Sequence, residues 1–321
     1  MDLPAQLRQA VDSALAGVSV SDLTAAAKSL SQRYRDEVRD GRLHLSDDRL
    51  ALAYIATRMP ATYAAVHAAL SALAVQQPAF APQTLLDVGA GPGTVMWAAA
   101  NIWPGMDSAT LVETSPAIRA VGERLAAGSS LARISWRAAD LRADLPEAQH
   151  DLVTLAYVLD ELAPKDRAAL VDRLWSLSRH ALLIVEPGTT AGWRRILEAR
   201  QQLVANGAHI LAPCPHAHAC PISEPDWCHF AARVQRSRLH RLAKEAEVPW
   251  EDEKFIYIAA SRTPATVHAS RVLDRPESAT GRVNLKLCQP DGTVTHRLIT
   301  RREGEAFRRA RRVDWGEVFE G

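Results

Sequence analysis

The stretch Thr84-Leu85-Leu86-Asp87-Val88-Gly89-Ala90-Gly91-Pro92-Gly93 constrains this chain more than any other. A short aliphatic run predicts a strand over Thr84–Val88, and the three glycines let the backbone turn sharply where a ligand must come close. A helix is expected to start at the glycines, near 94–103. Its free N–H groups and dipole favour a carboxylate or phosphate. No Gly-Lys-Ser/Thr follows Gly93, which excludes a nucleotide-hydrolase phosphate loop.

Beyond this loop the pattern alternates between short apolar runs and helical stretches. Strands are expected at Thr84–Val88, Ala109–Glu113, Ile134–Ala138, Leu152–Ala156 and Ala181–Glu186, with helices near 116–127, 164–178 and 190–206. Lys254–Ser261 and Arg282–Cys288 read as two further strands that complete a seven-stranded, mainly parallel sheet. Residues 1–80 read as an N-terminal helical subdomain, rich in alanine and capped at Ser21-Asp22. Residues 81–321 then form an α/β Rossmann-like domain interrupted by a cysteine-rich insertion over 207–246.

Glu113 ends the second strand, twenty residues after Gly93, where an acid accepts hydrogen bonds from both ribose hydroxyls. The loop spacing resembles the D-x-G-x-G-x-G turn of class I methyltransferases more than the dinucleotide G-x-G-x-x-G. Asp87, Gly89, Gly91, Gly93 and Glu113 are therefore the candidate S-adenosylmethionine-binding residues, with Asp140 as an acceptor for the adenine amino group. Asp140 as a helix cap is the plain alternative. After the fourth strand, Tyr157-Val158-Leu159-Asp160-Glu161 replaces the Asn/Asp-Pro-Pro-Tyr/Phe motif that holds a target nitrogen, so no catalytic residue is assigned. Tyr157 and Asp160 fit the lining of a transfer pocket. An acidic pair entering a helix more often serves as a favourable charge at its N-terminus, which is the preferred reading.

Four cysteines stand at 214, 220, 228 and 288, and the first two thirds of the chain hold none. Met1-Asp2-Leu3-Pro4 has an acid and a proline where a secretory signal needs basic and then apolar residues, so the chain reads as cytoplasmic and its thiols as reduced. The alanine-rich stretch 61–75 is too short and too polar to cross a bilayer, and no membrane role is expected. Cys214, Cys220 and Cys228 lie on one loop and Cys288 ends a late strand. Their convergence would suit either a [4Fe–4S] cluster or a tetrahedral zinc ion, with His216, His218 and His229 complicating the ligand count.

The 38 basic and 37 acidic residues nearly cancel, so charge must be read locally. A basic helix is expected over 229–246, presenting Arg233, Arg236 and Lys244 at helical spacing. A second block ends in Arg308, Arg309, Arg311 and Arg312. Both are candidate contacts for RNA phosphates.

With these residues in view, most of the chain from 40 to 321 resembles the methyltransferase-like family associated with assembly of the mitochondrial small ribosomal subunit, and its bacterial relatives. The resemblance rests on Leu86–Gly93, the Cys-Pro-His-x-x-x-Cys-Pro block at 214–221, Asp226-Trp227-Cys228-His229-Phe230, Lys254-Phe255-x-Tyr257, Leu287-Cys288 and Ala310-Arg311-Arg312-x-x-Trp315-Gly316. It implies an S-adenosylmethionine pocket, a [4Fe–4S] cluster on Cys214, Cys220, Cys228 and Cys288, and binding to small-subunit ribosomal RNA or a pre-ribosomal particle. Two other functions fit the same residues: a non-catalytic RNA-binding assembly factor, and a zinc-stabilised small-molecule methyltransferase.

Overall fold

The computed structural model describes residues 1–35, 44–141 and 144–321. The chain enters through helices α1 (Ala5–Ala14), α2 (Val20–Arg35), α3 (Asp48–Thr57) and α4 (Met59–Gln76). The Asp47 side chain caps α3 by accepting from the Leu50 N–H at 3.0 Å, which satisfies one of the unpaired donors of the first turn. Helix α4 is apolar on nearly every side. Ala61, Ala64, Ala65 and Ala69 are buried, and such small side chains let it lie against the sheet as a core helix. Among the described residues no helix is long and apolar enough to cross a membrane.

The sheet region runs β1 (Thr84–Val88), α5 (Thr94–Ile102), β2 (Ser108–Val112), α6 (Pro116–Ala126), β3 (Arg133–Arg137), β4 (His150–Ala156), α7 (Pro164–Leu177), β5 (Ser178–Pro187) and α8 (Thr190–Ala205). It continues through β6 (His209–Ala212), β7 (Phe230–Gln235), α9 (Arg238–Ala243) and β8 (Trp250–Ser261). Strand order is β3-β2-β1-β4-β5-β8-β6, with β7 also paired to β8. Strands β1 to β5 are parallel, and β8 runs antiparallel to β5, β6 and β7. An antiparallel strand slotted beside the fifth is the order of the class I methyltransferase sheet. Because β1 lies between β2 and β4, its crossovers depart to opposite sides and open a crevice at its carboxyl end.

The sequence reading needs two corrections here. Residues 229–246 are not one basic helix: Phe230–Gln235 forms β7, and only Arg238–Ala243 is helical. Phe230 and Val234 are buried while Arg233 is exposed, a period of two that the charge spacing concealed. Arg282–Cys288 is a strand, but it does not join the main sheet, whose eight strands among the described residues include His209–Ala212 and β7 instead. It forms β11 in a second sheet with β9 (Ser270–Val272), β10 (Glu277–Ala279), β12 (Val294–Thr300) and β13 (Val318–Phe319), beside α10 (Glu305–Ala310). Val272, Val283, Leu285, Leu287, Ile299 and Phe307 give this sheet its own small core. The buried Arg271 ties it to the larger sheet, donating to the Pro213 carbonyl at 2.9 Å and to the Gly316 carbonyl at 2.8 Å.

Candidate functional site

The carboxyl end of β1 is built around a buried acid. Asp87 sits between Leu111 of β2 and Thr154 of β4, and its Oδ1 accepts from the Thr154 hydroxyl at 2.8 Å. Its Oδ2 is buried without a hydrogen-bond partner. Burial pushes this carboxyl up to about 7 against the Thr154 hydrogen bond, and the charge of Glu113 adds to the rise.

The turn that follows needs its glycines. Gly89 has φ +70°, and a Cβ there would stand 2.4 Å from Val158 Cγ2. Gly91 has φ +52° with nothing within 4 Å of the Cβ position, so its free side faces open space. That space is a cavity of about 140 Å³ lined by Gly89, Gly91 and Glu113 on one side and Tyr54, Tyr157 and Asp160 on the other. Glu113 is locked in place: its Oε2 accepts from the Gly91 N–H at 2.9 Å and its Oε1 from the Ser115 N–H at 2.7 Å. Burial raises its pKa, and the N–H groups of Ser115 and Gly91 work against that rise.

The structure therefore brings Gly89, Gly91 and Glu113 to one cavity, with Asp87 directly behind them. Gly93 caps α5 at φ +80°. Asp140 is not part of the lining, whereas its neighbour Leu141 is. Asp160 does not serve as the acid of a helix start, because α7 begins at Pro164 with Asp166 in its first turn. Instead it is buried and lines the cavity. Behind it the fully buried Glu186 accepts from the Leu159 N–H at 3.1 Å and from Arg195 Nε at 2.6 Å.

On the opposite wall Tyr157 and Asp160 stand where a pocket lining was one sequence expectation, whereas Tyr54, Arg58 and Thr62 had no local motif to mark them. Tyr157 adopts φ +60°, a conformation that a bulky L-residue rarely takes and that marks sites held under constraint. Its hydroxyl donates to Glu253 Oε1 at 3.2 Å, and Arg58 stands 3.6 Å from the same oxygen. Burial raises the pKa of Tyr157 well above its ordinary value, so it is a neutral phenol at physiological pH. Tyr54, Arg58 and Thr62 come from α3, α4 and their junction, which makes the N-terminal helices one wall of the cavity.

The four cysteines converge. Cys214 follows β6, Cys220 lies on the next loop, Cys228 precedes β7 and Cys288 ends β11, yet all four line one cavity of about 30 Å³. All are free thiols. Burial pushes Cys288 up to about 12 and Cys228 well above the usual thiol range, and in both the neighbouring thiols add to the rise. His216 Nε2 lies 3.4 Å from Cys288 Sγ. Arg200 fixes the loop by donating to the carbonyls of His216 and His218 at 2.9 and 2.6 Å. Among the described residues no three His, Cys, Asp or Glu side chains are grouped so as to hold a single metal ion.

The basic residues fall into two sets. Arg233 makes a two-pronged pair with Asp252 at 2.8 and 3.0 Å and lies over the Trp250 ring. Arg236 and Lys244 share Glu251 Oε2 at 2.8 and 2.9 Å. At the C-terminus, Arg308 pairs with Glu305, and Arg309 reaches Glu305 at 3.7 Å and Glu320 at 3.8 Å. Arg311 and Arg312 are exposed, with no ion pair among the described residues.

The family profile of the mitochondrial small ribosomal subunit protein Rsm22 matches residues 48–320. The chain belongs to the Rsm22 family. Over 296 residues this Rsm22-family chain is 33% identical to the human protein called ribosome assembly protein METTL17, mitochondrial, an alignment covering 84% of this chain and 62% of that one. It is 25% identical over 325 aligned positions to Rsm22-cox11 tandem protein 2, mitochondrial, of Schizosaccharomyces pombe, covering 85% of this chain and 43% of the relative. The chain thus spans less than two thirds of the length of these curated relatives. Among solved structures, an O-methyltransferase family protein from Burkholderia thailandensis matches with a TM-score of 0.47 at 12% identity, covering 76% of this chain and 71% of that one. Likeness at that level adds nothing to the family assignment.

In this Rsm22-family chain the buried Asp87 makes stability depend on pH. Its folded-state pKa of about 7 exceeds the ordinary 3.8, so the native state binds the proton more tightly. The stabilisation is complete below the unfolded value and is lost as pH rises through about 7. In Asp87→Asn this dependence should vanish. Denaturant unfolding of ligand-free protein should then show the stability difference moving in the variant's favour by about 3–4 kcal/mol between pH 4 and pH 8. A constant difference across that range would contradict the burial of a titrating carboxyl.

Proposed function

We propose that this chain is an S-adenosylmethionine-binding, methyltransferase-like protein that acts in assembly of the small ribosomal subunit. The observation that carries the first half is the pairing of the glycine turn with Glu113, fixed by two backbone N–H groups at the mouth of a cavity. Asp87, Gly89, Gly91, Gly93 and Glu113 would hold the cofactor: the bare glycine backbone admits it, and Glu113 has lone pairs left for the ribose hydroxyls. Asp140 remains the candidate adenine contact. The second half is supported by membership of the Rsm22 family and by the identity to a protein named for ribosome assembly.

Bound there, S-adenosylmethionine supplies an electrophilic methyl group on sulfur. The chain's own part would be to align an acceptor in line with the departing sulfur, since proximity and orientation supply much of the acceleration. Tyr157 and Asp160 line the side of the cavity where an acceptor would enter. Tyr157 already spends its proton on Glu253, so it orients the wall rather than serving as a base. That engagement, together with the absence of a nitrogen-holding motif, favours a second reading: an assembly factor that binds the cofactor and RNA without transferring a methyl group.

The four thiols fit a [4Fe–4S] cluster by donor chemistry, one thiolate per iron, and bound zinc remains the alternative. Arg308, Arg309, Arg311 and Arg312, with Arg233, Arg236 and Lys244, are the proposed RNA contacts.

Purified small ribosomal subunits and methyl-labelled S-adenosylmethionine separate the readings. Label appearing in RNA or protein over repeated turnovers supports an enzyme, and salt-sensitive binding to the particle without label supports the assembly factor. Absence of binding to the particle would remove the ribosomal half of the reading.

A further inference from the structure

A second, larger cavity adjoins the first. It has a volume of about 830 Å³ and is walled by Lys28 of α2, Arg58 at the α3–α4 junction, Arg236, Lys244 and the start of α8 at Pro187 and Thr189. Among the described residues its lining holds four cationic side chains, no carboxylate and no aromatic ring. Arg58 lines this cavity and the one beside Glu113, so it is the partition between them.

The acids that pair with these cations stand outside the lining. Arg236 and Lys244 share a single carboxylate oxygen of Glu251, and Glu251 Oε1 faces the buried His240 at 3.4 Å. Burial works against the charge on Glu251, yet His240, Lys244 and Arg236 hold its carboxyl well below the usual range. One ionised carboxylate thus serves two cations, and the pair keeps a net positive charge toward the cavity. Among the described residues Lys28 is matched by the exposed Glu245, at 2.9 Å, a pair that water screens and releases at little cost. The dipole of the sixteen-residue α8, whose N-terminus forms part of the wall, has the same sign.

We propose that this cavity takes a phosphate group of an RNA strand, holding the strand beside the methyl-donor pocket with Arg58 between the two sites. A cavity whose described lining is cationic and carries no aromatic ring grips a backbone rather than a base, so it would position RNA without reading its sequence. The assignment rests on the proposal that the chain binds RNA, and it places that contact at the mouth of the cofactor crevice rather than only on the C-terminal arginines.

The test uses the full chain loaded with S-adenosylhomocysteine and a fluorescent ten-nucleotide single-stranded RNA, followed by anisotropy. Ser31 lines the cavity and makes no ion pair, so Ser31→Glu adds a negative charge while leaving every existing pair in place, and Ser31→Gln controls for size. Ser31→Glu should weaken RNA binding about tenfold and Ser31→Gln less than about twofold. In Lys28→Gln/Lys244→Gln the slope of log affinity against log salt should become shallower by up to about 0.7, the loss of one phosphate contact on a single strand. S-adenosylhomocysteine affinity should be unchanged in all three variants. Equal RNA affinity for Ser31→Glu and Ser31→Gln, with an unchanged slope in the double variant, overturns the cavity assignment alone. If Arg311→Gln/Arg312→Gln then weakens binding, the strand lies on the C-terminal face instead. Failure of the parent to bind RNA overturns the RNA reading and this cavity together.

Discussion

Gly89→Ala is expected to destabilise the protein by about 2–4 kcal/mol and to weaken S-adenosylmethionine binding at least about a hundredfold, because two penalties coincide. At φ +70° an L side chain is strained whatever space surrounds it, and here the new methyl group would also meet Val158 Cγ2 at 2.4 Å. Val158 cannot simply yield. It is buried and lies between Tyr157, itself at φ +60°, and Leu159, whose N–H is bonded to Glu186. Relief therefore has to come from moving the glycine turn or the Tyr157–Asp160 wall, and either movement deforms the cavity. Gly89→Ala/Val158→Ala should recover only part of the lost stability, since it removes the steric contact and leaves the backbone strain. Denaturant unfolding and titration calorimetry check the pair. Parent-like stability and affinity in Gly89→Ala would mean that the turn is not held as described.

If the four thiols hold the proposed [4Fe–4S] cluster, Cys288→Ser is expected to abolish iron and sulfide content and to cost about 5 kcal/mol or more of stability in protein purified without oxygen. The size follows from topology. Cys214, Cys220 and Cys228 belong to the loop between β6 and β7 of the main sheet, whereas Cys288 ends β11 in the second sheet, so a shared cluster would clip the two sheets together. The contacts seen at that junction are the hydrogen bonds of Arg271, the Lys286–Asp226 pair and the packing of Trp315 on Phe230 and His229. Broad visible absorbance in the parent and its loss in the variant, measured with iron and sulfide content and thermal unfolding, test the assignment. If Cys288→Ser kept its full iron, His216 would be the first alternative ligand, because it lies 3.4 Å from that thiol. His229 is the poorer choice, being stacked on Trp227 and packed edge-on to Trp315.

The parts of the fold that were legible in the sequence are those whose side-chain pattern belongs to one element. Leu85, Leu86 and Val88 are all fully buried, and a continuous apolar run of that length bounded by glycines has few other readings than a central parallel strand. The parallel strands β1 to β5 and their helices follow the same logic. Strand β7 is masked by Arg233 and the basic residues that follow it, since charges three and four apart fit a helix while Phe230 and Val234 alternate as a strand. The second sheet escaped because β9, β10 and β13 are only two or three residues long, too short for any periodicity.

The candidate site divides in the same way. Gly89, Gly91 and Glu113 are ordered along the chain by the β1–α5–β2 unit, so their spacing alone brought them together. Tyr54, Arg58 and Glu253 reach the same place from α3, the α3–α4 junction and β8, and only tertiary packing relates them. The four cysteines were legible as a set because rarity marked them, although the sheet that carries Cys288 was not.

Calorimetric titration of S-adenosylmethionine into the parent and into Glu113→Ala tests the central claim most directly. Glu113 is positioned by the Gly91 and Ser115 N–H groups and faces the cavity, so its loss should remove the hydrogen bonds to ribose while leaving the sheet intact. The account predicts binding by the parent and a variant weaker by about 1–3 kcal/mol, or roughly 5- to 150-fold in Kd, the scale for hydrogen bonds to a charged group. Equal affinity in the two proteins, or no binding by the parent, would contradict it.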